Sequence, residues 1–198
     1  MGLMKTFFNY LVGTVLCPRT TFGRVRREVA LGHALAVVLL YGALYTAYAC
    51  LAFRAGVRPV APPVLPISED MYYLWEAAFA APVIVASWLV YSTLAWAVAR
   101  ALGGEGSFRA MLSVSSFSLF VPQLARWACD ALVIACESEW WGTTVPLVVL
   151  YPLLTLVWTV ALGAIAAREA QRIPLGKALV MTLVAVAVTI GFAGVFLR

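Results

Sequence analysis

The sequence predicts an all-α fold, a polytopic membrane helical bundle with five transmembrane helices plus an N-terminal interfacial amphipathic helix. Hydrophobic residues make up 64% of the chain and charged residues only 12%, a composition outside the range of water-soluble domains. Five apolar stretches approach the roughly 20 residues with which a helix crosses a bilayer. Most Lys and Arg residues fall beyond alternate ends of these stretches, as the positive-inside rule requires.

The amino-terminal segment, 1–28, is predicted to be an interfacial helix followed by a basic cytoplasmic segment. The apolar run before Pro18 is too short to cross a membrane, yet its apolar residues recur at helical spacing. They are Met4, Phe7, Phe8, Leu11 and Val15. A cleaved signal peptide is the alternative, because Lys5 precedes the run, but Asn9 interrupts it and no small-residue cleavage site follows.

The rest of the chain, 29–198, is the predicted membrane domain. Its spans are expected at 30–53, 77–99, 108–126, 143–167 and 178–197. Four prolines between Arg54 and Asp70 predict an extended loop after the first span. Ser107 is a candidate cap for the third helix. That helix either ends near Arg126, whose side chain snorkels outward, or continues, broken, to 136 and buries Arg126 with Asp130.

The distribution of basic residues predicts the orientation and a candidate surface for lipid or partners. The surface comprises Arg19, Arg24, Arg26, Arg27, Arg100, Arg109, Arg168, Arg172 and Lys177. With Lys5, these residues fall on one side of five spans, so the amino terminus is expected in the cytoplasm and the carboxyl terminus outside. Because they come from three separate segments, the net charge of +5 indicates contact with anionic lipids rather than nucleic acid.

The sequence offers little for catalysis. It has one His, and its four cysteines lack the spacing of a zinc site, so we expect no enzyme activity, no cofactor and no metal. A serine cluster stands out in the third span, at Ser113, Ser115, Ser116 and Ser118. Hydroxyls in membrane helices commonly bond their own backbone carbonyls or a neighbouring helix, which we expect here.

A candidate polar site lies near the outer ends of the second and third spans. It comprises Glu76, Gln123, Arg126 and Asp130. Arg126 and Asp130 are four residues apart and share a helical face, so they could pair with each other or with Glu76 in a pocket facing the outer leaflet. The alternative is that these charges are interfacial and solvated.

Several landmarks, taken in order, resemble the Yip-domain family of Ypt/Rab-interacting membrane proteins. They are Pro18 with Thr21-Phe22 and the basic residues after them, Gly104 to Phe108, Pro122, Trp158, Arg172 and Lys177-Ala178-Leu179. The resemblance implies five spans. Eukaryotic members are associated with Rab-type GTPases through a long cytoplasmic amino-terminal region, whereas only 1–28 precede the first span here. A GTPase partner is therefore not expected, and the chain looks like the compact bacterial form, in the cytoplasmic membrane.

These observations predict a non-catalytic integral membrane protein that organises the membrane or binds partners as a scaffold. Anionic lipids, other membrane proteins or further copies of the chain are the expected partners. The alternative is a small transporter or permease subunit with a polar site near Arg126 and Asp130. Such a protein would place ionisable groups at membrane depth.

Overall fold

The computed structural model describes residues 2–59, 64–135 and 145–197, and within these ranges the chain forms helices and no strand. The helices are α1 (Gly2–Leu16), α2 (Pro18–Glu28), α3 (Leu31–Arg54), α4 (Tyr72–Ala101), α5 (Phe108–Ala135), α6 (Val145–Gln171) and α7 (Leu175–Ala193). A short 3-10 helix, Glu69–Met71, precedes α4. The all-α prediction is confirmed.

Four helical segments are long and apolar enough to cross a bilayer. They are Leu31–Arg54, Glu69–Ala101, Pro152–Gln171 and Leu175–Ala193. These correspond to α3, α4, α6 and α7 and to four of the five predicted spans. Helix α5 carries the remaining predicted span, and its buried serines together with Arg109, Gln123 and Arg126 make it more polar than the others.

Helix α5 occupies the centre of the bundle, in contact with α3, α4 and α6 and, on one side, with α1 and α2. At its beginning, the backbone N–H of Glu105 donates to the carbonyl of Gln171 at 3.1 Å. Near its other end, the Trp127 ring lies 4.4 Å from that of Tyr48, in the last third of α3. Helix α5 therefore runs from the end of the bundle where α6 finishes to the end where α3 finishes.

The interior of the bundle combines many small and hydroxyl-bearing residues with large side chains such as Tyr91, Met111 and Phe117, and further large apolar residues cover the exterior. Fully buried positions include Ala34, Ala95, Ala99, Ser92, Ser113, Ser116, Ala166 and Ala185. Exposed positions include Leu35, Leu39, Leu44, Leu153, Leu154, Val157, Val180, Leu183 and Val188. A water-soluble bundle would cover such leucines and valines. Small residues between helices and large apolar residues outside are typical of helices packed in lipid.

The amino-terminal segment contains a second helix that the sequence analysis did not predict. Pro18 stands in the first turn of α2, where its missing N–H costs nothing, so the residue that ends α1 also begins α2. Val29 closes α2 with φ of 46°. Helix α1 buries Tyr10 and Thr14 against the bundle, while Met4, Phe8, Val12, Val15 and Leu16 are exposed.

Ser107 and the residues after it form the start of α5 as expected. The Ser107 hydroxyl accepts a hydrogen bond from the backbone N–H of Ala110 at 3.1 Å, so the predicted cap is confirmed. The helix continues through Pro122 and Arg126 to Ala135, the longer of the two extents considered. In the proline-rich loop, 55–59 and 64–68 are not helical, and 60–63 lie outside the described residues.

Candidate functional sites

The basic residues singled out in the sequence gather at one end of the bundle through contacts between α2 and the α6–α7 turn. The Arg19 Nε lies 3.2 Å from the Glu169 Oε1. The Arg26 Nη1 donates to the backbone carbonyl of Glu169 at 3.0 Å. These contacts hold α2 across the carboxyl end of α6, so the first basic segment and the last basic loop lie side by side.

The α4–α5 turn joins the same end. The Lys177 Nζ donates to the Leu102 carbonyl at 2.9 Å, and the Arg100 Nη1 donates to the Gly104 carbonyl at 3.2 Å. A Cβ at Gly106 would collide with the carbonyl of Ala170, so a residue without a side chain permits the close approach of the two turns. We call this end, formed by α2 and the 100–109 and 168–177 segments, the basic face.

An open pocket of about 600 Å³ lies in the basic face, between α2 and the α6–α7 turn. It is lined by Arg26, Arg168, Glu169, Arg172, Ile173, Pro174 and Leu175. Three guanidinium groups therefore converge on one concavity. Its single carboxylate, that of Glu169, already contacts Arg19.

Helix α1 attaches to the basic face through Tyr10. Its ring packs edge-on against His33 and Phe117, and its hydroxyl donates to the Glu28 carboxylate. Arg24 donates to the same carboxylate at 2.7 Å. Burial and then the Glu28 contact raise the pKa of Tyr10 to about 12. The hydrogen bond from Arg24, followed by that from Tyr10, lowers the pKa of Glu28.

The serine cluster of α5 bonds mainly within its own helix, as the sequence analysis expected. Ser113, Ser116 and Ser118 donate to carbonyls three or four residues earlier. Ser115 does so too, but it also links α5 to α4, with its Oγ 2.6 Å from that of Ser92 and 3.1 Å from the Trp88 Nε1. The cluster is a packing and hydrogen-bonding seam between central helices.

Glu76 lies buried at the opposite end of the bundle, with 2% of its surface exposed. Tyr45 of α3 donates to its Oε1 at 2.8 Å, and Tyr72 donates to the same atom at 3.3 Å. This carboxylate is therefore packed inside the bundle against two phenol groups. The contact with Tyr72 could be predicted from the sequence, because the two residues are four apart on one helix. The contact with Tyr45 depends on the packing of α3 against α4.

Gln123 and Arg126 line a cavity of about 390 Å³ between α3, α4, α5, α6 and α7. Tyr41, Ser87, Thr155 and Thr159 add polar groups to a mostly apolar wall. An adjoining cavity of about 360 Å³ contains Arg126, Tyr45 and Tyr48. Tyr45 thus connects the cavity that holds Arg126 with the Glu76 carboxylate. The side chain of Asp130 lies outside the described residues.

The apolar exterior, the small-residue interior and the four spanning helices define an integral membrane helix bundle. Residues 12–197 match the Yip1 domain family, so the chain belongs to that family. The resemblance stated from the sequence landmarks is confirmed. No curated protein and no solved structure matches the chain.

Proposed function

We propose that this protein is a non-catalytic membrane scaffold that crosses the bilayer five times and presents its basic face to the cytoplasmic leaflet. Assembly of that face from three separate segments carries the proposal. Its nine basic residues are each worth about 1 kcal/mol of attraction when they lie near an anionic surface. Anionic lipids and the cytoplasmic segments of neighbouring membrane proteins are the partners that such a face attracts.

The course of α5 supports the fifth crossing. The helix begins at the basic face with Phe108, and its Trp127 ring packs against Tyr48 in the last third of α3, near the opposite end of the bundle. Serines on α5 satisfy their hydrogen bonds inside the bundle, so a polar central helix is compatible with lipid around its neighbours. Helix α1, with its exposed Met4, Phe8 and Val12, suits the membrane interface beside the basic face.

Crosslinking in native membranes tests the scaffold role. A photoreactive amino acid replaces Arg27 or Arg109 on the basic face, and Arg58 at the other end serves as the control. We expect discrete protein crosslinks from positions 27 and 109 and none from position 58. Exchange of the remaining basic-face arginines for Gln should abolish the crosslinks from 27 and 109. Crosslinks from 58 alone, or from all three positions alike, would contradict the proposal.

A small transporter or permease subunit is the second candidate, and the cavity at Arg126 favours it. A mostly apolar cavity with a few convergent polar groups is the usual form of a small-molecule site. This function predicts solute-dependent stabilisation that requires Arg126 or Asp130. A cysteine placed at 126 should then resist a thiol reagent added from outside, whereas ready labelling would remove the buried pocket.

A further inference from the structure

The basic-face pocket combines three guanidinium groups with the beginning of a membrane helix. Glu169, its acidic member, uses its carboxylate for Arg19 and its carbonyl for Arg26. Among the described residues, no acceptor lies within hydrogen-bonding distance of the Arg168 or Arg172 guanidinium. The pocket therefore has positive charge in excess of what its own residues neutralise.

The amino terminus of α7 adds to that charge. Pro174 precedes the helix and provides no side-chain cap. The first backbone N–H groups of α7 therefore have no hydrogen bond from a capping side chain. Those N–H groups carry the positive end of the helix dipole, which favours anions. Planar guanidinium groups bind phosphate oxygens through paired hydrogen bonds, so phosphate is the anion that fits three arginines best.

A stripe of exposed leucines leads away from the pocket along α7. Leu175 lines the pocket, and Leu179 and Leu183 follow at intervals of four residues, so the three side chains share one face of the helix. Their exposed fractions are 48%, 41% and 49%. A free phosphate ion makes no apolar contact with such a stripe, whereas a lipid acyl chain packs against apolar surface of this kind.

From these observations we infer that the pocket binds the phosphate group of an anionic phospholipid whose acyl chain lies along the leucine stripe of α7. The inference rests on the proposed function, because it needs the basic face to lie at the level of lipid headgroups. The turn between α6 and α7 meets that need, since it joins the ends of two spanning helices. The site makes the protein selective for lipid chemistry rather than for surface charge alone.

Binding to the purified full-length protein in uncharged detergent tests the site. Dihexanoylphosphatidylglycerol supplies the lipid phosphate, inorganic phosphate supplies the free ion, and the shift in unfolding temperature reports binding. A pocket variant combines Arg26→Gln, Arg168→Gln and Arg172→Asn. Asn at 172 tolerates the left-handed backbone there, with φ of 57°. A matched control combines Arg27→Gln, Arg100→Gln and Arg109→Gln, which remove the same charge outside the pocket.

The pocket variant is expected to bind the lipid about 100-fold more weakly, since each surface arginine contributes about fivefold to anionic lipid binding. The control variant should lose less than about threefold because its arginines do not line the pocket. Equal losses in the two variants would overturn the site. Arg172→Asn alone, expected to weaken binding about fivefold, keeps the test valid if the triple variant does not fold.

The leucine stripe separates the two sources of phosphate. Leu179→Ala with Leu183→Ala should weaken binding of dihexanoylphosphatidylglycerol about tenfold, because buried methylene groups are lost. Binding of inorganic phosphate should not change. The lipid assignment would be overturned if inorganic phosphate bound tightly and the two leucine substitutions left the lipid affinity unchanged. Failure of the scaffold proposal appears separately, as loss of the crosslinks from 27 and 109.

Discussion

Buried hydroxyls on α5 act over two ranges, within their own helix and between helices. Ser116 bonds the Ser113 carbonyl of its own helix. Ser115 also contacts Ser92 and Trp88 of α4. Both side chains are fully buried, so burial alone does not distinguish them. The difference is that removal of the Ser115 hydroxyl also removes the hydrogen-bonded contact between α5 and α4, whereas removal of the Ser116 hydroxyl removes a bond inside α5.

Ser115→Ala should therefore destabilise the bundle by about 1–2 kcal/mol, because interhelical hydrogen bonds in membranes are worth about this much. Ser116→Ala is the matched control and should cost less than about 0.5 kcal/mol, because its hydroxyl bonds only its own helix. Reversible unfolding in mixed micelles measures both free energies. Equal losses would show that the contact with α4 contributes nothing.

Tyr10 makes the attachment of α1 sensitive to alkaline pH. Its pKa in the folded protein is about 12, above the usual value of about 10. The neutral phenol is thus the form that the attached helix favours. The attachment is fully stable below pH 10 and weakens as the pH rises from about 10 to about 12.

Tyr10→Phe should remove that alkaline dependence and weaken attachment at neutral pH by about 1 kcal/mol, the worth of one hydrogen bond. Protease cleavage in the α1–α2 junction, measured in nanodiscs from pH 8 to pH 11.5, reports the attachment. Tyr151→Phe on α6 controls for loss of a tyrosine elsewhere. An alkaline rise in cleavage that persists in the Tyr10→Phe protein would contradict the assignment.

Residue roles were predictable where they depend on neighbours in the sequence. Ser107 as a cap and the backbone bonds of Ser113 follow from spacing along one helix. The Tyr45–Glu76 contact was not predictable, because its partners come from different helices and hydropathy does not specify which faces meet. The convergence of Arg26 with Arg172 escaped the sequence analysis for the same reason.

At the scale of elements, glycines distinguish packed from lipid-facing surfaces. A Cβ at Gly163 of α6 would lie 2.6 Å from the Thr182 Cγ2 and 2.9 Å from the Tyr91 hydroxyl oxygen. Around Gly191 of α7, no atom of the other described helices lies within 4 Å of the added Cβ. The two positions therefore predict opposite effects of the same substitution.

Gly163→Ala should destabilise the contact of α6 with α7 by about 1–3 kcal/mol, the usual cost of overpacking. Gly191→Ala should be neutral or stabilise by up to about 1 kcal/mol, because Ala favours helix more than Gly does. Thermal unfolding of the two variants in the same detergent compares them. A stabilised Gly163→Ala protein would mean that α6 and α7 do not pack this closely.

Helix α2 shows what hydropathy misses at this scale. Its sequence is polar and rich in arginine, a pattern that predicts a basic segment and not a helix. Phe22 and Val25 are fully buried and fix one face of α2 against the bundle. Two apolar residues three apart were the available signal for a helical face, but they were too few to stand out beside the charges.

For the whole molecule, the number of crossings decides which loops share a side of the membrane. If α5 did not cross, the 168–177 loop would lie opposite the 100–109 loop. The hydrogen bond between Glu105 and Gln171 joins the two loops at one end of the bundle, which favours an odd number of crossings. The positive-inside rule also favours both loops on the cytoplasmic side, since both are basic.

Single cysteines test this topology in a protein with the native cysteines replaced by Ala. Arg58→Cys should react with a membrane-impermeant maleimide in intact cells, because the loop after α3 lies outside under the proposed orientation. Arg109→Cys and Arg172→Cys should both react only after permeabilisation, since five crossings put both loops in the cytoplasm. A reporter fused after Arg198 should be active outside. Labelling of Arg172→Cys in intact cells, with Arg109→Cys still protected, would show that α5 does not cross the membrane. It would also contradict a single basic face.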